Sequence, residues 1–573
     1  MLHHGLNAKY DLDDLVPVGE APGQRQNVQR SMEPMNSTMQ DAPLSITEIF
    51  RHGAQVYPDS EIITFEGEQA RHTSYAKVAE RVNRLAGALR TLGIVPGDRV
   101  GTLCWNHQEH LEAYFAIPCM GAILHTLNLR LPPSQLAQII NHAEDRVVIV
   151  DDSLAPLLAS VIDQCPSIEK VIVVGSGEVA GLGEPLAYET LLAAESPTFD
   201  WPAIDERSAA SMCYTTGTTG DPKGVAYSHR SVFLHSFAVW GTFRLDDRGR
   251  LLIIVPMFHV NAWGTPYAGW MVGSALLLPG RFLQPQGLCD FIQQERPTFT
   301  GGVPTILTAV LNHVQATGRD VSSIKTAVCG GSAVPATLIE AYRDVLGIEL
   351  WQAWGMTETS PIATIARPPK GTAPEDEMYY RSKTGRVVPG VELRLVDDSG
   401  AVVPHDGESV GEIEVRGPWI TASYYKAETP EKFHDGWLRT GDVGNIDARN
   451  YVQITDRSKD VIKSGGEWIS SVELETLLVG HPAVAEAAVV GVPDERWAER
   501  PLALVVLKPG ATATPDELRE FLAPKVARWW LPERWTFVDE LPKTSVGKLD
   551  KKLIRSEYAQ QKFSVVALAA AQR

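Results

Sequence analysis

Residues 214–224 read YTTGTTGDPKG, three glycines among four threonines, closed by Pro-Lys-Gly. The stretch offers free backbone N–H groups, hydroxyls and one lysine charge, a donor set able to wrap a polyphosphate. An apolar lead-in, AASMCY, makes it a loop leaving a strand rather than an ordinary solvent loop. A Walker A loop needs Gly-Lys-Ser/Thr opening a helix; here Gly224 follows Lys223, which removes the best support for a kinase or GTPase. Thr215, Thr216, Gly217, Thr218, Thr219, Gly220 and Lys223 are therefore candidate phosphate ligands.

Further segments carry chemistry-bearing residues in a fixed order. VPMFHVNAWGTPY holds His259 and Trp263, VCGGSAVP holds Gly331, Ser332 and Ala333, and QAWGMTETSP holds Trp354, Gly355, Thr357 and Glu358. LRTGDVG holds Asp442, TDRSKDVIKSGGEWIS holds Arg457, Lys459, Lys463 and Trp468, and LPKTSVGKL holds Lys548. Taken singly, each has a bland reading: Glu358 a solvated carboxylate, Asp442 a turn residue, Lys548 a surface lysine, Trp263 and His259 core residues. Together with the threonine-glycine loop, the series closely resembles the adenylate-forming superfamily of acyl-CoA synthetases, adenylation domains and luciferases. The FHVNAW and SGGEWIS wording is similar to the medium- and long-chain fatty acyl-CoA synthetase branch.

The resemblance implies a two-step reaction. A fatty acid carboxylate attacks the α-phosphorus of ATP to give acyl-AMP and pyrophosphate; the thiol of coenzyme A then takes the acyl group and releases AMP. Both first-step reactants are anions, so the site needs cations. Glu358, on a turn after a strand, suits Mg²⁺, which prefers oxygen ligands, with Thr215 as a second contact. Asp442, placed between Gly441 and a following strand, would accept the ribose hydroxyls. Arg457 would add a ribose or phosphate contact, and Lys463 and Trp468 would line the nucleotide side. Gly331, Ser332 and Ala333 would lie against the adenine. Trp354 stands where the family more often has tyrosine and would stack on the purine. Lys548 would be the adenylation lysine. His259 would sit near the carboxylate, and Trp263 would gate an apolar acyl tunnel, where each buried CH₂ contributes about 0.8 kcal/mol. Lys459 would be the hinge about which a small C-terminal domain rotates between half-reactions, with Gly465 and Gly466 letting the chain close over the substrate.

The elements that must position these residues alternate between amphipathic helices and β-branched runs such as RVVIVDD, KVIVVG and RLLIIVP. That pattern predicts an α/β protein: a large N-terminal lobe of layered sheets and helices with a small mobile α+β C-terminal domain. Residues 1–43 lack periodicity and read as a flexible tail; 44–457 form the nucleotide-binding domain and 458–573 the C-terminal domain, with the composition shift near Asp456. LSITEIF reads as a helix capped by Ser45 or Thr47, and TPDELREFLAPKVARWWLP as one capped helix.

The chain has 573 residues, too many for one core, and a formal charge of −18, a poor match for nucleic acid. Cys104, Cys119, Cys165, Cys213, Cys289 and Cys329 form no CxxC pair and read as buried free thiols. No apolar run spans a membrane and no signal peptide is expected, so a cytoplasmic enzyme follows by default. Fatty acid, ATP, Mg²⁺ and coenzyme A are the expected small molecules, and the related fatty acyl enzymes point to a homodimer. The alternatives are a ligase for another acid such as an aryl acid, a fatty acyl-AMP ligase loading a carrier protein, and a non-catalytic nucleotide- or lipid-binding module. The lack of an insertion around Asp456 disfavours the carrier-protein ligase. Retention of Glu358 and Lys548 disfavours the non-catalytic module.

Overall fold

The computed structural model describes residues 37–177, 179–215, 222–397, 399–464, 467–543 and 549–568. Contacts divide the chain into two units, Met1–Ala42 and Pro43–Arg573. Within the first, residues 37–42 are exposed. The second opens on helix Ile46–Val56, capped by Ser45, whose side chain accepts the Glu48 N–H. Its buried face of Ile46, Ile49, Phe50 and Gly53 is set by helical spacing. Gly53 has a steric reason: a Cβ there would come within 2.2 Å of the Trp270 indole.

Among the described residues the chain builds three sheets. In a seven-stranded sheet, Leu186–Ala187, Lys170–Val174, Asp145–Asp151, Arg99–Leu103, Ile123–Thr126 and Ala209–Tyr214 run parallel, and Gly224–Ser228 closes the edge antiparallel to Ala209–Tyr214. The threonine-glycine segment thus connects two adjacent strands. A fifteen-stranded array begins with a parallel region containing Glu61–Phe65, Ala275–Leu278, Arg250–Ile253, Phe299–Gly302, Thr326–Cys329 and Glu349–Gly355. It continues antiparallel from Glu349–Gly355 through Ile362–Ile365, Gly385–Val387, Tyr451–Arg457, Trp437–Ile446 and Gly411–Arg416. The parallel strands are apolar on both faces because helices cover both, as runs like ALLL require.

The third sheet has six strands from residues 462–567, with separate apolar cores on its two faces. Its central pair, Val484–Asp494 and Ala498–Leu507, is antiparallel. The expected helix near residue 515 is shorter than its segment. It spans Pro515–Leu522, started by a Thr514–Glu517 capping box, and ends before Pro524; Arg528–Trp530 then forms a separate 3-10 turn.

Strand Tyr451–Arg457 leads into this third sheet, and a buried polar cluster fixes the junction. Asp456 accepts both the backbone N–H and the hydroxyl of Ser471, at 2.6 and 2.5 Å. Lys551 Nζ reaches Ser471 Oγ at 2.6 Å and the Glu475 carboxylate at 2.8 Å. Ser470 caps helix Ser471–Val479 and also donates to the Thr455 carbonyl. Lys459 lies exposed in the same junction, its carbonyl and the Asp460 carboxylate both bonded to Arg555. All six cysteines are buried and free. No helix among the described residues is long and apolar enough to cross a membrane.

Candidate active site

Parallel strands carry ligand sites at their carboxyl ends, and several of the chemistry-bearing residues stand at such ends. Thr215 follows Ala209–Tyr214, Gly331–Ala333 follow Thr326–Cys329, and Trp354 and Gly355 end Glu349–Gly355. Gly331 has φ 88°, which suits glycine, and Ser332 and Ala333 are exposed. Gly355 is required by close approach, since a Cβ there would meet the Pro361 carbonyl oxygen at 1.8 Å.

Glu358 lies on the short turn Thr357–Thr359 and is only 7% exposed. Its Oε1 accepts the Tyr424 hydroxyl at 2.6 Å. Burial and then the Glu358 charge hold that phenol above its ordinary range, so it stays protonated and donates. Lys223 Nζ lies 4.9 Å from the centre of the Tyr424 ring, and the Tyr425 N–H bonds the Gly224 carbonyl. Thr215 and Lys223 join the loop's two ends: the Thr215 N–H donates to the Lys223 carbonyl at 2.9 Å, and the Lys223 N–H to Thr215 Oγ1 at 3.3 Å. Tyr227 anchors the turn by donating to the Thr357 carbonyl. The threonine-glycine loop and the turn carrying Glu358 are therefore joined through Tyr424 and Tyr227.

A second buried carboxylate belongs to Asp442, 3% exposed. The sequence places it between a glycine and a following strand; the structure places it within strand Trp437–Ile446, opposite Arg457 in the neighbouring strand. Arg457 Nε donates to Oδ1 at 2.7 Å, and Trp354 Nε1 donates to Oδ2 at 2.8 Å. The Asp442 charge foremost, and the Glu358 charge to a lesser degree, raise the Arg457 pKa, so one guanidinium sits in the field of both carboxylates.

Trp263 sits on an unusual turn. Val260, Asn261, Ala262 and Trp263 have φ of 45, 48, 50 and 58°, a left-handed turn without glycine until Gly264. Asn261 clasps it to the strand below, its Nδ2 donating to Ser211 Oγ at 2.9 Å and its Oδ1 accepting the Cys213 thiol at 3.4 Å. The indole packs over Gly301 and Gly330, where added Cβ atoms would lie 3.5 Å from the ring. With Phe243, Leu251, Ile253 and Phe299 it lines an apolar cavity of about 10 Å³, room for one water at most. His259, half-buried, precedes the turn.

Lys463 is exposed on the hairpin strand Ile462–Ser464, its N–H on Glu499, and pairs in register with Trp468. Thr216, Gly217, Thr218, Thr219, Gly220, Gly465, Gly466 and Lys548 lie outside the described residues, as does the side chain of Trp468. Sequence reasoning missed Tyr424, Tyr227 and Asn261. The signal for Tyr424 was a tyrosine pair in the polar stretch TASYYKAET, where a loop aromatic needs something to bury against.

The chain matches the AMP-binding enzyme family over residues 50–425, and the AMP-binding enzyme C-terminal domain over residues 473–548. It is 44% identical over 538 residues to a long-chain-fatty-acid–CoA ligase of Thermus thermophilus, covering 92% of this chain and 98% of that one. It is 42% identical over 536 residues to a 3-methylmercaptopropionyl-CoA ligase of Ruegeria lacuscaerulensis, covering 91% and 99%. Among solved structures, an anthranilate CoA ligase in complex with anthranoyl-AMP superposes with a TM-score of 0.82 at 29% identity, covering 91% of this chain and 100% of that one.

Proposed function

The chain belongs to the AMP-binding enzyme family, and from that premise we propose that it is an acid–thiol ligase joining a fatty acid to coenzyme A through an acyl-AMP. The observation that carries this reading is a pair of buried carboxylates: Glu358, tied through Tyr424 to the lysine end of the threonine-glycine loop, and Asp442, paired with Arg457.

Roles follow from the chemistry of each group. The loop ends and Lys223 bind the polyphosphate. Asp442, with one donor already on each oxygen, takes the two ribose hydroxyls on its remaining lone pairs. Gly331–Ala333 and Trp354 flank the base. Glu358 and Thr215 form an all-oxygen donor pair that fits Mg²⁺, and they would hold the ion, which supplies positive charge against the phosphates when bound. Lys548 meets the carboxylate and α-phosphate oxygens as charge shifts between them. His259 orients the acid, and Trp263, which lines the apolar cavity, gates the acyl chain.

Residues 44–457 form the nucleotide-binding domain and 458–573 the moving one, with Lys459 as pivot; the two family matches fall on either side of it. Lys459→Pro fixes φ there and slows thioester formation while sparing pyrophosphate release; equal losses in both would remove the hinge role. Pyrophosphate release and acyl-CoA formation measured with ATP, Mg²⁺ and acids from acetate to a C18 chain test the whole reading. Absence of any acid-dependent pyrophosphate release would sink it, and pyrophosphate release with no acyl-CoA formed when coenzyme A is supplied would reassign the acceptor. A second reading, a ligase for a short functionalised acid, is favoured by the 42% identity to the 3-methylmercaptopropionyl-CoA ligase.

A further inference from the structure

A carboxylate as hidden as Asp442 persists only if its oxygens are bonded, because an ion removed from water without partners is strongly disfavoured. Arg457 bonds Oδ1 and Trp354 bonds Oδ2. The two donors differ in kind. Arg457 is a flexible side chain 43% exposed to solvent. Trp354 is half-buried, packs against two apolar clusters, and carries a single N–H that is only ever a donor. It also comes from a different region of the sheet, 88 residues away in sequence, at the end of the last parallel strand. With the Arg457 bond alone, the carboxylate would be held at one oxygen only, and its χ2 is a broad torsion. The indole N–H removes that freedom and leaves one acceptor direction on each oxygen, the arrangement that suits two neighbouring hydroxyls.

We propose that Trp354 is a positioning residue that sets the preference of this site for a ribonucleotide over a deoxyribonucleotide by fixing Oδ2 of Asp442. The proposal rests on the assignment of Asp442 to the sugar. Trp354→Phe keeps an aromatic face for the base and removes the N–H. It should raise the KM for ATP about tenfold, a change of about 1.4 kcal/mol, and alter kcat by less than about threefold. The preference for ATP over 2′-deoxy-ATP and 3′-deoxy-ATP, as the ratio of kcat/KM values, should fall by about the same tenfold factor.

A loss of packing alone would weaken all three nucleotides equally and leave the ratios at the wild-type value, which would overturn the proposal. Asp442→Asn separates the premises: if it collapses the ratios and Trp354→Phe does not, only the role of Trp354 fails. If Asp442→Asn also preserves the ratios, the sugar assignment itself is wrong. Should Trp354→Phe not fold, benzothienylalanine incorporated at position 354 keeps the bicyclic shape without the N–H. The same fall in ratios is then expected, and an unchanged ratio is again decisive against it.

Discussion

Glu358 and Asp442 are equally hidden, 7% and 3% exposed, yet their surroundings handle the charge differently. Glu358 is met by a neutral phenol from Tyr424, and the nearby Lys223 ammonium is turned to that ring. Asp442 is met by a guanidinium on one oxygen and an indole N–H on the other. A carboxylate held by a neutral donor keeps its negative field for a cation. One held by a guanidinium gives up much of that field and becomes a fixed pair of acceptors, suited to uncharged hydroxyls. The same functional group is thus tuned toward a cation in one corner and toward neutral donors in the other.

Substitutions that trade charge for shape should pull the two corners apart. Glu358→Gln keeps an acceptor for Tyr424 and removes the charge; adenylation should fall by about 10² to 10³, the loss typical of one electrostatic stabiliser. Its half-saturating Mg²⁺ concentration should rise, as followed by pyrophosphate release across a Mg²⁺ series. Asp442→Asn should raise the KM for ATP about thirtyfold, near 2 kcal/mol, and leave the Mg²⁺ half-saturation at the wild-type value. If both variants shift the Mg²⁺ curve alike, the contrast between the corners is lost. Tyr424→Phe removes one hydrogen bond to a charged group and should cost about tenfold in adenylation, with the acyl chain-length profile unchanged. Trp263→Ala touches neither carboxylate. It should leave the KM for ATP within about twofold and shift the preferred chain length, at about 0.8 kcal/mol per CH₂ accommodated. An unchanged profile over C2 to C18 acids counts against the gate.

Much of the scaffold was legible because its signals are local. The capped helix at Ser45 and the strands Asp145–Asp151, Lys170–Val174 and Arg250–Ile253 follow from period, caps and turn residues. The residue types at the two corners were also readable from their segments. Their mutual bonds were not. Tyr424 meets Glu358 across 66 residues and Trp354 meets Asp442 across 88, distances in sequence bridged only by strand pairing. Asp442 was misplaced for a local reason: Gly441, at φ 74°, suggests a turn, whereas the chain accommodates it inside a strand. The turn at Val260–Trp263 was illegible because left-handed backbone is usually announced by glycine or asparagine, and here three of the four residues are neither.

That turn has a consequence for how the cavity is kept shut. Winding L-residues in this sense is opposed by about 1–2 kcal/mol each, so the four together work against their own conformation by about 4–8 kcal/mol. Such a segment is a drawn bow, and Asn261, clipped to Ser211 and Cys213, is the catch that keeps it drawn. Trp263 therefore rests on its two glycines by constraint from the neighbouring strand and not by the preference of its own backbone.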